Sequence, residues 1–144
     1  MSTITREEIA AEAGLRLVEA AVARARDEGL EVCAALCDPR GHLVALARTD
    51  NVVAPAIEYA IDKAWTAATL NRSTEGFFER AHARPALGMG LANRPRVLVF
   101  PGGQPIRRGD ACLGGLGVSG AQDHEDVAIA CAVIAEAGFG TEGG

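Results

Sequence analysis

The sequence predicts an α+β fold in which helices pack on an antiparallel sheet. Segments of helical and strand periodicity follow one another in the order α-β-β-α-α-β-β-β-α, without the strict strand–helix alternation of a parallel sheet. The composition is that of a globular protein, with 49% hydrophobic and 23% charged residues. Aromatic residues make up only 4%, and an apolar content rich in Ala, Val and Leu suits helices packed closely on a sheet.

The length of 144 residues predicts a single domain, 1–144, with a core over about 5–137 and a frayed tail over 138–144. Hydrophobic periodicity divides this core into four helices and five strands. The predicted helices cover 5–28, 54–71, 73–80 and 122–137, and the predicted strands cover 30–37, 42–48, 96–100, 104–107 and 111–118.

Capping and turn residues mark the boundaries of these elements. Thr5 and Glu8 form a capping box that predicts the start of the first helix. The stretch Asp38-Pro39-Arg40-Gly41 predicts a turn between the first two strands, and Pro55 suits the first turn of the second long helix. Two prolines and two glycines interrupt 83–95, which predicts an irregular segment that is functional or docked on a neighbour.

Charge and hydropathy exclude several classes of partner. The net charge is −5 and no Lys/Arg cluster occurs, so we expect no nucleic-acid partner. No apolar run reaches membrane-spanning length, and the N-terminus begins with a charged amphipathic segment rather than a signal peptide, which predicts a cytoplasmic protein with no membrane partner. The four cysteines form no CxxC pair and are predicted to be mostly buried thiols. Cys33 and Cys37 lie about 13 Å apart along one strand, too far to form a disulfide.

Four segments together resemble the GlcG/HbpS-like family, which includes the C-terminal domain of PduO. They fall in the family's order and spacing, and the resemblance spans about 5–137. The segments are Cys37-Asp38-Pro39-Arg40-Gly41-His42-Leu43, Asp62-Lys63-Ala64-Trp65-Thr66-Ala67, Phe100-Pro101-Gly102-Gly103-Gln104-Pro105-Ile106 and Gly114-Gly115-Leu116-Gly117-Val118-Ser119-Gly120-Ala121. The resemblance implies a profilin-like fold with a five-stranded antiparallel sheet, and a homo-oligomer that is a dimer or larger. It also implies haem as a candidate cofactor, because some members bind haem and haem sequestration or degradation is a reported role.

Small residues between the fifth strand and the last helix predict a ligand site. A carboxylate could dock on free N–H groups at the start of that helix, with the Ser119 hydroxyl as a further donor. The alternative is that the glycines only permit close packing or a tight turn. The candidate binding residues are Gly102, Gly103, Gly117, Ser119 and Gly120.

Lys63, the only lysine, lies in the apolar stripe of the second long helix. It could bind an anionic group or act as a base once desolvated, or it could form a structural ion pair with Asp38 or Glu58. Asp38 is a candidate proton-transfer group, although it could simply accept hydrogen bonds from the turn backbone.

The three histidines are His42, His82 and His124, and no HxH or HExxH motif occurs, so we expect no metal-ion site. His82, beside the irregular segment, is the candidate haem ligand or acid–base group. An exposed or capping histidine is the alternative for each of the three.

Three functional interpretations follow. The first is a binder of haem or another planar acid, including an accessory protein of haem degradation. The second is a small catabolic enzyme, such as an isomerase, tautomerase or hydratase, that acts on an anionic metabolite held by Lys63 and backbone N–H groups near Ser119, with Asp38 or His82 transferring a proton. The third is an assembly module. Whether the chain is an enzyme stays open at this point.

Overall fold

Five helices and one four-stranded antiparallel sheet make up residues 1–142, the part of the chain that the computed structural model describes. The helices are α1 (Ala11–Asp27), α2 (Pro55–Leu70), α3 (Thr74–Ala83), α4 (Pro85–Leu91) and α5 (Asp123–Glu136), and the strands are β1 (Cys33–Cys37), β2 (Leu43–Arg48), β3 (Gly103–Arg108) and β4 (Ala111–Ser119). The strand order in the sheet is β2-β1-β4-β3, with every neighbouring pair antiparallel. The α+β class predicted by the sequence is therefore confirmed.

Helices cover both faces of the sheet, and alternate residues of β1 show this. Ala34 and Leu36 belong to the larger apolar cluster, which includes side chains of α1 and α5. Cys33 and Cys37 point the other way and pack with alanines of α2. Both thiols are free and fully buried, as predicted, and burial raises the pKa of each to about 11.

Helix α2 lies directly on β4 because that strand carries glycines where the two elements meet. A Cβ on Gly115 would lie 2.6 Å from the backbone nitrogen of Ala68, and one on Gly117 would lie 2.6 Å from that of Ala64. The glycines therefore permit an approach of backbone to backbone that no side chain allows.

The prediction of a strand at 96–100, and with it the five-stranded sheet, is wrong. Thr66 of α2 takes the hydrogen bonds that a neighbouring strand would have made: its Oγ1 donates to the carbonyl oxygen of Arg96 at 3.1 Å and accepts from the backbone N–H of Leu98 at 3.0 Å. Arg96 also has φ +74, outside the strand region. The segment runs along α2 as irregular chain, and the profilin-like arrangement stays a prediction.

The first helix begins at Ala11 instead of residue 5, so the predicted capping box does not start it. Residues 1–10 are non-helical, and within them Ile9 is buried and its N–H donates to the carbonyl oxygen of Leu113 at 3.0 Å. Docking of Ile9 on the core therefore outweighs the local capping preference of Thr5 and Glu8.

The interrupted segment 83–95 contains helix α4, with Pro85 in its first turn, so part of it is regular. The chain after α5 also contacts the body. Gly140 pairs with Arg107 in an antiparallel bridge, and a Glu142 carboxylate oxygen accepts hydrogen bonds from Ser73. Residues 143–144 of the tail that was predicted to fray lie outside the described residues, and its flexibility stays a prediction. No helix within 1–142 is long and apolar enough to span a membrane.

Candidate functional site

A buried ion pair lies at the end of β4. The side chain of Lys63, on α2, is only 2% exposed, and its Nζ donates to the carbonyl oxygen of Val118 at 2.8 Å and to Asp126 Oδ2 at 3.3 Å. Asp126 lies in the first turn of α5 and is also 2% exposed. Its second carboxylate oxygen accepts from the N–H of Ala121 at 3.1 Å. The pair joins two helices that cover opposite faces of the sheet.

Glycines make room for this pair. A Cβ on Gly102 would lie 2.9 Å from Lys63 Nζ, and the φ of +125 at this residue already favours glycine. A Cβ on Gly103 would lie 2.6 Å from the Lys63 carbonyl oxygen, and one on Gly117 would lie 3.0 Å from Lys63 Cβ. The glycine-rich stretches of the sequence thus enclose the lysine closely.

Burial controls the protonation of both partners. Desolvation lowers the pKa of Lys63, although the negative charge of Asp126 opposes this shift. Desolvation likewise raises the pKa of Asp126 against the opposing effect of Lys63. Both shifts bring the pair closer to its uncharged form, a free amine beside a carboxylic acid, than the same groups would be in water.

A cavity of about 220 Å³ opens beside the pair. Ser119 lies on its wall, is 4% exposed, and has no hydrogen-bond partner for its hydroxyl among the described residues. The wall combines this hydroxyl and the ion pair with apolar and acidic groups. The lining residues are Val53, Ala56, Tyr59, Lys63, Phe100, Ser119, Gly120, Ala121, Asp123 and Asp126.

The structure therefore brings the predicted binding residues together with Lys63. Ser119 and Gly120 line the cavity, and Gly102, Gly103 and Gly117 pack around the lysine. The ion pair weighed as the alternative for Lys63 is also present, but its partner is Asp126 rather than Asp38 or Glu58.

Asp38 lies away from this cavity, in the turn between β1 and β2. Its Oδ1 accepts from the backbone N–H groups of Arg40 at 2.9 Å and His42 at 3.0 Å, and its Oδ2 lies 3.0 Å from His42 Nδ1. Desolvation opposes ionisation, yet these hydrogen bonds outweigh it and hold the pKa of Asp38 below its ordinary value. Since Cys33 of β1 pairs with Ser119, about 16 Å of strand separates Asp38 from the cavity.

His82 also lies elsewhere, on an exposed face of α3. Its ring stacks on Phe78, with centroids 5.6 Å apart and planes inclined by 23°. Both line an apolar groove of about 500 Å³ between α3, α4 and the irregular segment after it. Among the described residues that line this groove, His82 alone carries an ionisable side chain. The lining residues are Phe77, Phe78, Ala81, His82, Pro85, Gly88, Met89, Leu91, Ala92, Val97, Leu98 and Val99.

Asp126 and the groove were not predicted from the sequence. The spacing of residues along α5 could have identified Asp126, because this residue begins the buried stripe that Ile129, Ala130 and Val133 continue at helical spacing. No sequence pattern could have identified the groove, since the groove depends on how α4 and the segment after it fold against α3. Within residues 1–142, no group of three or more His, Cys, Asp or Glu side chains is arranged to hold a metal ion.

Known proteins resemble this chain over most of its length. The corrinoid adenosyltransferase PduO of Salmonella typhimurium is 31% identical over 127 residues, which is 88% of this chain but only 38% of PduO. An uncharacterised 15.0 kDa protein of Citrobacter freundii, from the dhaT-dhaS intergenic region, is 26% identical over 82% of this chain and 84% of its own length.

Several solved structures share the fold at more than 25% sequence identity. The crystal structure of HbpS superimposes with a TM-score of 0.85 and 29% identity, over 93% of each chain. The crystal structure of a PduOC:haem complex superimposes with a TM-score of 0.81 and 28% identity, over 95% of this chain and 99% of that one. A family model described as "Haem degrading protein HbpS-like" matches residues 9–135. The chain therefore belongs to the HbpS-like family.

Proposed function

We propose that this protein binds haem in the apolar groove between α3, α4 and residues 97–99, with His82 as the iron ligand. The observation that carries the proposal is the position of His82, the one ionisable side chain among the described residues of the groove wall. The groove volume of about 500 Å³ falls in the range typical of cofactor sites. Family membership and a similar structure with haem bound support the choice of ligand.

The residues of the groove suit the parts of a haem. Aromatic and aliphatic side chains, among them Phe77, Phe78 and Leu98, provide an apolar surface for the porphyrin. Imidazole and thioether are side-chain groups that bind haem iron, and His82 and Met89 provide them here. Arg84 directly precedes α4 and Arg94 lies three residues after it; both are exposed, and in this proposal their guanidinium groups pair with the propionates.

The cavity at Lys63 supports the alternative, an enzyme for an anionic metabolite, less well. Its ammonium group is already paired with Asp126, and Asp123 adds a second carboxylate to the wall. An anion that entered would meet more negative than positive charge. Asp38 and His82, the predicted proton-transfer groups, do not line this cavity.

A haemin titration with histidine variants tests the proposal. We expect a saturable, one-to-one Soret shift in the unmodified protein. His82→Ala should lower the haemin affinity by at least about tenfold, since the iron–imidazole bond is lost. His42→Ala is the matched control, because His42 is another exposed histidine and lies in the hairpin turn. A shift that does not saturate, or one that His42→Ala abolishes and His82→Ala leaves intact, would overturn the proposal.

We further propose that the protein is a cytoplasmic homo-oligomer. Free thiols at all four cysteines are consistent with a reducing compartment. Several large apolar side chains are exposed on the single chain and suit burial against another copy. Outside the groove and the cavity they include Ile4, Leu15, Leu43, Leu46 and Leu70. Light scattering should report at least twice the chain mass of 14.9 kDa, and a monomer mass would contradict this.

A further inference from the structure

The cavity beside Lys63 is separate from the groove proposed for haem, and the two share no lining residue. An ammonium group has three N–H donors, and protein acceptors occupy two of those of Lys63. Lys63 is one of the residues that line the cavity, so a group inside the cavity lies next to this lysine. The Ser119 hydroxyl, also without a protein partner among the described residues, lies on the same wall.

Lys63 differs chemically from the arginine side chains elsewhere in the chain. Lys63 is the only lysine among 14 Lys and Arg residues. An arginine could pair with Asp126, but its guanidinium stays protonated, whereas a lysine amine becomes a nucleophile once it loses a proton. Asp126, 3.3 Å from Nζ, is placed to accept that proton, and desolvation lowers the pKa of Lys63.

We propose that Lys63 forms a reversible imine with a small aliphatic aldehyde that enters this cavity. The volume of about 220 Å³ suits a small ligand, and Val53, Ala56 and Phe100 provide an apolar wall for its chain. In this proposal the carbonyl oxygen accepts a hydrogen bond from the Ser119 hydroxyl, which lines the same cavity. The carboxylates of Asp123 and Asp126 on the same wall favour a neutral carbonyl compound over an anionic one.

The reaction needs no oxidant or reductant. Asp126 takes a proton from the Lys63 ammonium, and Nζ attacks the carbonyl carbon while the carbonyl electron pair moves to oxygen. Asp126 returns the proton to that oxygen and forms a carbinolamine. The nitrogen then gives up a proton to the hydroxyl oxygen, which leaves as water. As the C–O bond breaks, the nitrogen lone pair forms the C=N bond. One aldehyde and one ammonium thus give one protonated imine and one water, and the positive charge stays beside Asp126.

Reductive trapping with propanal and cyanoborohydride at pH 7 tests this proposal in the unmodified protein. The chain has one lysine and one α-amino group, so peptide mass mapping separates the two possible sites. The matched control is Arg16→Lys, which adds a solvent-exposed lysine to α1. The cavity holds the aldehyde beside Lys63, and the Asp126 carboxylate lies 3.3 Å from Nζ to accept its proton, so we expect Lys63 to be propylated at least about tenfold faster than the lysine that Arg16→Lys adds.

Two outcomes would overturn the proposal: no propyl group on Lys63, or a slower rate at Lys63 than at the added surface lysine. Both are measured in proteins that keep Lys63, so a folding defect cannot produce them. Ser119→Ala should slow labelling of Lys63 severalfold and leave labelling of the α-amino group unchanged. Haemin binding is read separately by Soret absorbance, so the imine proposal and the haem proposal can fail independently.

Discussion

The Lys63 ammonium lies 3.3 Å from the Asp126 carboxylate, although α2 and α5 pack on opposite faces of the sheet. The two side chains meet at the end of β4, where Gly102 leaves space for the Lys63 Nζ. Each is about 2% exposed, so neither charge is compensated by bulk water. Loss of either partner would therefore leave an unpaired buried charge at this end of the sheet, on the wall of the cavity.

Removal of one partner of the buried ion pair should lower the free energy of unfolding. Lys63→Met leaves the Asp126 carboxyl buried without its cation, and we expect a loss of about 3–5 kcal/mol in the free energy of unfolding. Arg16→Ala is the control, since Arg16 forms an exposed pair with Glu12 and should lose less than about 0.5 kcal/mol. Urea unfolding measures both values. Similar small losses in the two variants would contradict the assigned role of the buried pair.

Close packing of α2 on β4 gives a second prediction. Gly117→Ala places a Cβ 2.6 Å from the Ala64 backbone nitrogen, and we expect the overpacking to cost at least about 1–3 kcal/mol. Gly90→Ala, in α4, meets no atom within 4 Å and should be neutral or slightly stabilising. Thermal unfolding followed by circular dichroism compares the two. If Gly117→Ala is as stable as Gly90→Ala, the helix does not lie as close to the strand as described.

Thr66 should hold the wall of the groove in place. Thr66→Val removes the hydrogen bonds to Arg96 and Leu98, and we expect faster amide hydrogen exchange over 96–100 with a loss of about 1–3 kcal/mol. Thr69→Val is the matched control, because within residues 1–142 the Thr69 hydroxyl donates to the carbonyl oxygen of Trp65 in its own helix and has no bond to 96–100. Unchanged exchange over 96–100 in Thr66→Val would show that other contacts hold this segment.

Asp38, in the turn between β1 and β2, should affect how the free energy of unfolding depends on pH. Hydrogen bonds from His42 and Arg40 outweigh desolvation, so the folded pKa of Asp38 lies below the ordinary value of 3.8. A group with a depressed folded pKa stabilises the protein above its unfolded pKa, and this stability is lost as the pH falls through the folded pKa. Asp38→Asn should therefore lower stability at neutral pH and flatten its decline below about pH 4. Parallel pH–stability curves for the variant and the unmodified protein would contradict this.

Local patterns predicted much of the fold, and the errors have tertiary causes. The order of most elements follows from periodicity and turn residues. The strand expected at 96–100 did not form, because the Thr66 side chain takes the hydrogen bonds of that segment. The first helix starts late because Ile9 docks on the core instead of extending the helix. Neither contact could be inferred from residues adjacent in the sequence.

The candidate site likewise depends partly on local sequence pattern and partly on tertiary contacts. Lys63, Gly102 and Ser119 meet because their segments surround the end of β4, and the glycine-rich pattern marked two of those segments. Asp126 was missed because only the path of α5 shows that it faces the lysine. His82 lies in the groove because α4 folds against α3, and the interrupted 83–95 pattern did not predict that helix.

The central claim, that haem occupies the groove, is tested most directly by filling the groove without touching His82. Ala92→Trp adds an indole at one wall, and Ala20→Trp adds the same group in a different surface crevice, beside α1 and α5. Haemin affinity is measured for both by Soret titration. We predict that Ala92→Trp weakens binding by at least about tenfold while Ala20→Trp leaves it unchanged. Equal affinity in the two variants would show that haem does not bind in this groove.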